Sequence, residues 1–460
     1  MTVKKNIFVV VHILLIGLTS FAQDNVFLER TFWKTNPSVE TIDQKIKEGH
    51  NPSQPNSNNF DPVVYAILEA ASNEAIIHLI SQEGNSVNKI THDGRTYLFW
   101  AAYKGNVDLM EYLIKQGAKT NLLDDKGNTI LNFAASSGQQ NTKVYDVCLQ
   151  NGANLKKDLT PSGANALLLA IPKDKDFQLT SYFQSKGLDI NSKDYQGNGA
   201  FNYVARTGNV YLMKQLLEKG VKGNDQAFLF AAYGTRGITN GLEVYHYLEN
   251  VGLNPDVSDD EGNTPILVLA SRNTNLELLT YLIKKGMDIN HQNKKGQTAL
   301  MLAVRSNEPR VVSFLLDQGA DVSLLDADGN NLGFYLIESY SERNKESFFA
   351  KKELLEKKGV NLAMPQKNGN TLYHLAVEKN SMPLLEMANN LTVDVNAKNN
   401  EGNTALHLAA MKAKDETILK YLLKLGAKKE ILTNFQETAF DLASENELLT
   451  KNNISIDFLK

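Results

Sequence analysis

Apolar positions along this chain recur in two short clusters per period, separated by polar breaks. Residues 397–428, AKNNEGNTALHLAAMKAKDETILKYLLKLGAK, show the pattern most plainly. Leu406, Leu408, Ala409 and Ala410 form one cluster. Ile418, Leu419, Leu422 and Leu423 form the next, at the i, i+1, i+4, i+5 spacing of one helix face. Asn-Glu-Gly predicts a turn with Gly402 at positive φ, and Thr404 predicts the N-cap of the short helix behind it. Gly426 predicts a left-handed end to the second helix. The unit is thus a turn, a short helix, a break and a second helix. Its single apolar face can be buried only against a neighbouring copy.

The copies are marked by two interleaved glycine series. Turn glycines at Gly94, Gly127, Gly163, Gly197, Gly262, Gly296, Gly329, Gly369 and Gly402 are separated by 33, 36, 34, 65, 34, 33, 40 and 33 residues, the 65 being two periods with one glycine lost. Helix-ending glycines run in parallel from Gly117 to Gly359 and reappear at Gly426. Two series with one common period identify one supersecondary unit copied along the chain.

The segments GRTYLFWAAYKGNVDLMEYLIKQGA (94–118), GNTPILVLA (262–270), GQTALMLAV (296–304), GNTLYHLAV (369–377) and GNTALHLAA (402–410) resemble the ankyrin repeat. The resemblance covers residues 60–445. It implies an all-α solenoid of about twelve helix-turn-helix repeats with hairpin loops, capped at both ends, and a role as a protein-binding scaffold. Residues 23–58 are expected to form a degenerate capping repeat and loop, with helices at Phe27 to Trp33 and Val39 to Lys47. Residues 59–432 hold the repeats, and 433–460 a truncated C-terminal cap. NPSQPNSNNFDP (51–62) replaces a hairpin with an irregular loop. The repeat at 225–257 lacks the Gly-x-Thr start and inserts GTRGITNG (234–241) between its helices, and SERNKES (341–347) adds polar residues to another.

The first 22 residues change the picture of where the chain works. Lys4 and Lys5 precede an apolar run from Ile7 to Leu18, and Ser20-Phe21-Ala22 offers small residues where a signal peptidase looks. Cleavage between Ala22 and Gln23 is expected, because this twelve-residue stretch, interrupted by His12 and Gly17, falls short of the ~20 residues that span a bilayer. The mature chain is then exported, to the periplasm first and the extracellular space second, without membrane insertion. Its removal takes the net charge from −4 to −6. With no basic excess, a nucleic-acid partner is excluded. Cys148 is the only cysteine, so no intramolecular disulfide can form. A monomer is expected.

Candidate chemistry is sparse. His374 and His407 share one repeat position, where other copies carry Phe99, Asn132, Leu168, Leu267 or Met301, so they are expected to tie down the hairpin and not to hold a metal. Cys148 stands where other second helices carry Leu113, Leu216, Leu282, Leu315 or Leu422 and is expected in the core. Asp326-Ala327-Asp328-Gly329-Asn330 fails as a calcium loop, its glycine being two positions early and Ile337 replacing the last ligand. Acidic hairpins such as Asp124-Asp125 and Asp259-Asp260-Glu261 are expected to be solvated tips. No catalytic motif or cofactor site is present, so a non-enzymatic function is expected.

The resemblance implies that hairpin tips and the exposed side of the first helices line a groove for a protein partner. Those positions carry Trp100, Tyr103 and Lys104; Tyr195, Arg206 and Thr207; Tyr233; Arg272; Arg305; Glu378; Met411 and Lys412; and Phe435. Aromatic and arginine side chains dominate interface energetics. Tyr97, Trp100 and Tyr103 lie three apart, so either Trp100 joins the surface or it packs inside and leaves Tyr103 outside. By family analogy a second function is open, an accessory factor for an exported redox or stress-response enzyme, and a third is an exported effector.

Overall fold

The computed structural model describes residues 24–235 and 237–460; the expected signal segment, with Ala22 and Gln23, lies outside the described residues. Twenty-six α-helices and no named strand are found among the described residues. They form thirteen pairs, the first and last of which fall where the capping repeats are expected.

The described residues divide into two compact units, one ending at Gln196 and the other running from Gly197 to Lys460. In each unit the first helix of a pair packs on the first helix of the next. The pattern works as chemistry dictates in the pair Ala405–Lys412 and Thr417–Lys424. The Thr404 side chain accepts from the His407 N–H, closing the first helix at its N-terminus. Ile418, Leu419 and Leu422 are buried, each worth about 1.5–3 kcal/mol of transfer free energy. Gly402 and Gly426 take φ of 83° and 96°, as the turn and the helix end require.

The irregular regions have their own fastenings. The expected helix at Phe27–Trp33 is broken at Glu29, whose extended backbone separates a 3-10 turn, Val26–Leu28, from the helix Arg30–Lys34. After the 51–60 loop, Asp61 caps Pro62–Leu68 by accepting from Val64 N–H at 2.9 Å. Its second oxygen takes Tyr97 Oη at 2.7 Å and Lys89 Nζ at 2.9 Å, so one buried carboxylate joins two pairs. In the insertion at 234–241 an antiparallel bridge joins Thr235 and Ile238. The extra residues at 341–347 form a 3-10 turn and then lengthen the next helix to Lys345–Lys357, thirteen residues.

Polar side chains also link successive pairs. Asn307 Nδ2 donates to Ala270 O at 2.8 Å and Asn273 O at 2.9 Å, satisfying the carbonyls at the end of the preceding first helix. Asn446 does the same to Ala410 O and Ala413 O, both at 2.9 Å. In the N-terminal unit Gln139 donates to Tyr103 O and Lys173 to Ser136 O.

Candidate functional site

The hairpins are built around an acidic or amide side chain that accepts from the turn's own backbone. Asp124 Oδ1 accepts from Lys126 N–H at 3.0 Å and Asn128 N–H at 2.8 Å. Asp259 and Asp326 repeat this with Asn263 and Asn330. Only part of the acidic tips is therefore solvated, a correction to the sequence expectation. Asp125, Asp260 and Glu261 are exposed, but Asp124 is buried because the turn needs its oxygens pointing inward.

Asp124 also anchors a cluster that sequence reading missed. Arg95 Nε and Nη2 both reach Asp124 Oδ2, at 3.0 and 2.9 Å, and its guanidinium lies 4.0 Å from the Phe133 ring centre and 5.3 Å from that of Trp100. The available signal was Gly-Arg-Thr at 94–96, where four other hairpins carry Gly-Asn-Thr. Trp100 is only 5 % exposed and donates its indole N–H to Thr91 Oγ1 at 2.9 Å. Its expected place on the binding surface is corrected: Arg95 and Phe133 roof it over. Tyr103 remains half-buried, stacked on Phe133 at 5.8 Å and 24°, with Lys104 exposed beside it.

The remaining groove candidates fall on the surface to different degrees. In the N-terminal unit Tyr195 is 74 % exposed; its N–H donates to Ser162 O, and its ring lies over Gly163, where a Cβ would come within 2.5 Å. In the other unit Arg206 is exposed, with Thr207 beside it, and donates through Nε to Gly234 O at 2.8 Å. Tyr233 is half-buried and donates to Asp259 Oδ2 at 2.5 Å; burial, then that carboxylate, pushes its phenol up to about 12. Arg272 stands 5.5 Å from the Tyr233 ring centre. Arg305 is exposed, Lys412 pairs with Glu378 at 3.4 Å, Met411 is partly exposed, and Phe435 is 83 % exposed.

The two histidines do what their position suggests. His374 Nδ1 accepts from Thr371 N–H at 3.1 Å, and Nε2 sits 2.9 Å from Asn403 O, so Nε2 carries the proton. His407 repeats this with Thr404 and Ile431 O. Burial holds both below the ordinary histidine value of 6.5. At the same position Asn132 donates to Asp158 O and Asn202 to Asn224 Oδ1, so amides replace imidazoles in the same task. Cys148 lies in the core as expected, and burial pushes its thiol up to about 12. Such a thiol is a poor nucleophile at neutral pH. Among the described residues no cluster of three metal-ligating side chains occurs, and no helix is long and apolar enough to cross a membrane.

Paired helices joined by glycine-centred hairpins, each pair stacked on the next, define a helical repeat protein. A family model of ankyrin repeats in three copies matches residues 63–158, 228–326, 339–433 and 373–454, more than half of the chain. The chain belongs to the ankyrin-repeat family. It is 24% identical to the human transient receptor potential cation channel subfamily A member 1 over 84% of this chain and 32% of that one. It is 26% identical to the phosphocholine transferase AnkX of Legionella pneumophila over 52% of this chain and 24% of that one. The chain thus spans about a third or less of the length of these relatives. Among solved structures, the ankyrin repeat domain of Bcl-3, a member of the IkappaB protein family, is 20% identical, with a TM-score of 0.35 over 56% of this chain and 99% of that one. Ankyrin repeats generally mediate protein–protein interaction, and the fold is typically a non-enzymatic scaffold.

Proposed function

We propose that this protein is a non-enzymatic scaffold of the bacterial cell envelope that holds a protein partner on its hairpin tips and first-helix ends. The observation that carries the proposal is an outward aromatic on a hairpin tip of each unit, Tyr195 in the first and Phe435 in the second, 74 % and 83 % exposed. A rigid aromatic loses little side-chain entropy when a partner covers it, and that is what makes such residues binding anchors. Location in the envelope is supported by the signal-like pattern of residues 1–22.

The test uses residues 23–460 as bait in envelope extract, beside a Tyr195→Ala, Phe435→Ala variant whose fold is checked by circular dichroism. Enrichment of one protein by wild type and at least tenfold less by the variant is the expected result. Equal enrichment by both would exclude these tips. N-terminal sequencing of the protein from fractionated cells should begin at Gln23; a start at Met1 would remove the export proposal.

A further inference from the structure

A second feature of the 197–460 unit points to a ligand of different chemistry. Arg272, Arg305 and Lys351 line one cleft of about 370 Å³, together with Ser306, Asn344 and Ser347. The only carboxylate on its wall, Glu308, is already paired with Arg310 at 2.8 Å. Among the described residues neither Arg272 nor Arg305 has a carboxylate partner. Arg305 makes one long contact, to Ser306 Oγ at 3.5 Å, and Arg272 lies against the Tyr233 ring.

Lys351 is only 2 % exposed and has no carboxylate partner among the described residues. Its Nζ donates to Val304 O at 2.7 Å and to Asn307 O at 3.4 Å, leaving one of three N–H groups unused. Asn344 and Ser347 come from the start of the thirteen-residue helix Lys345–Lys357, which no side chain caps, so the positive end of its dipole adds to the cleft.

Cations near the ends of first helices have an ordinary explanation, since the C-terminal dipole attracts them. Arg206 shows what that looks like. It occupies the repeat position of Arg305 and spends its guanidinium on the Gly234 carbonyl. Arg272 and Arg305 make no such bond. Their scaffold is nonetheless fixed, because Asn307 fastens the end of the helix carrying Arg272 and Lys351 fastens the end of the helix carrying Arg305.

We infer that this cleft binds a phosphate-type dianion, with the two guanidinium forks and the Lys351 ammonium neutralising its charge and the Ser306 and Ser347 hydroxyls donating to its oxygens. Guanidinium forks pair bidentately with phosphoryl oxygens, and three cations on one wall match the double charge of a phosphate better than the single charge of a carboxylate. The source is a free phosphate ester or ion, or a phosphorylated side chain on a protein.

The experiment is titration calorimetry of residues 23–460 with inorganic phosphate at pH 7.5, ionic strength held constant with sodium chloride. Saturable binding by wild type is expected, at least tenfold weaker in the double variant Arg272→Gln, Arg305→Gln and unchanged in Arg206→Gln, which removes one charge outside the cleft as the single variant Arg305→Gln does within it. The single variant Arg305→Gln, at an exposed residue with one weak contact, covers the case in which the double variant does not fold; at least a threefold loss is expected there. No saturable binding, equal affinity in the cleft variants, or an equal loss in Arg206→Gln would each overturn the site. A phosphoserine peptide binding tenfold tighter than inorganic phosphate supports the site with a protein-borne group as its ligand. Equal affinities support it with the free ion.

Discussion

The pairs at 405–424 and 227–250 belong to one unit and carry out the same task with different residues. In the first, Gly402, Thr404 and His407 make the turn, the cap and the hairpin tie. In the second no side chain caps the first helix, Ala227–Tyr233. Its entry is held by Asn224, whose Oδ1 accepts from Asn202 Nδ2 at 2.6 Å, and by Asp225, which accepts from Asn254 N–H at 2.8 Å. Its insertion is held by Asn240, which donates to Ala231 O, Ala205 O and Arg206 O. The repeat needs its backbone groups satisfied; it does not need a particular motif to satisfy them.

Glycine substitution breaks this comparison most sharply. Gly234 combines φ 58° with ψ −157°, a region open essentially to glycine, and a Cβ there would lie 1.9 Å from Ile238 O. Gly234→Ala should cost at least about 3 kcal/mol in urea unfolding, since backbone strain and a backbone clash add. Gly402→Ala meets chiefly the Asn434 side chain and should cost about 1–2 kcal/mol. Equal losses would show that the insertion yields as easily as the hairpin.

Cap removal comes next. Thr404→Ala should destabilise by about 1 kcal/mol and Gln226→Ala by less than about 0.5 kcal/mol, because only the threonine accepts a helix N–H. A smaller effect follows from His374 and His407. Their folded values lie below 6.5, so the folded state binds fewer protons than the unfolded chain near that pH. The stability they confer is complete above pH 6.5 and is lost as pH falls through their folded values. His374→Asn, His407→Asn should flatten that acid-side loss in thermal melts, while Asn keeps the tie as it does at 132 and 202. The smallest perturbation is brief proteolysis of the native protein. First cuts are expected between Thr235 and Gly241, where the tip is most open; cuts confined to the chain ends would show that the Asn240 bonds hold the insertion as tightly as a hairpin.

Much of the fold was legible because periodicity reports helix pairing directly. Gly402, Thr404, His407 and Gly426 each announce a local geometry that one residue type serves best. The candidate site was less legible. Whether Trp100 faces solvent depends on Phe133 in the next repeat and on Arg95, whose guanidinium is placed by Asp124 of the next hairpin, so no single repeat contains the answer. Asp124 looks like a solvated acid until the turn places its oxygens inside. Lys351 lies on an elongated helix whose register the 33-residue period does not set, so its reach to the Val304 carbonyl could not be foreseen.

The bonds by which Asn307, Asn446, Gln139 and Lys173 close the preceding pair give each stack a direction. In these four bonds the donor lies on the later pair and the acceptor on the earlier one, whereas the hairpin ties of Asn132, His374 and His407 donate in the opposite sense. Removing a later pair strands carbonyls beneath a newly opened surface, whereas removing an earlier one frees a side-chain amide or ammonium that water readily serves. At the first-helix ends, erosion from the two sides of a joint is therefore unequal. A duplicated or deleted pair is tolerated only when its incoming donor meets the outgoing carbonyls of its new neighbour, so the repeats join like links with a hook and an eye.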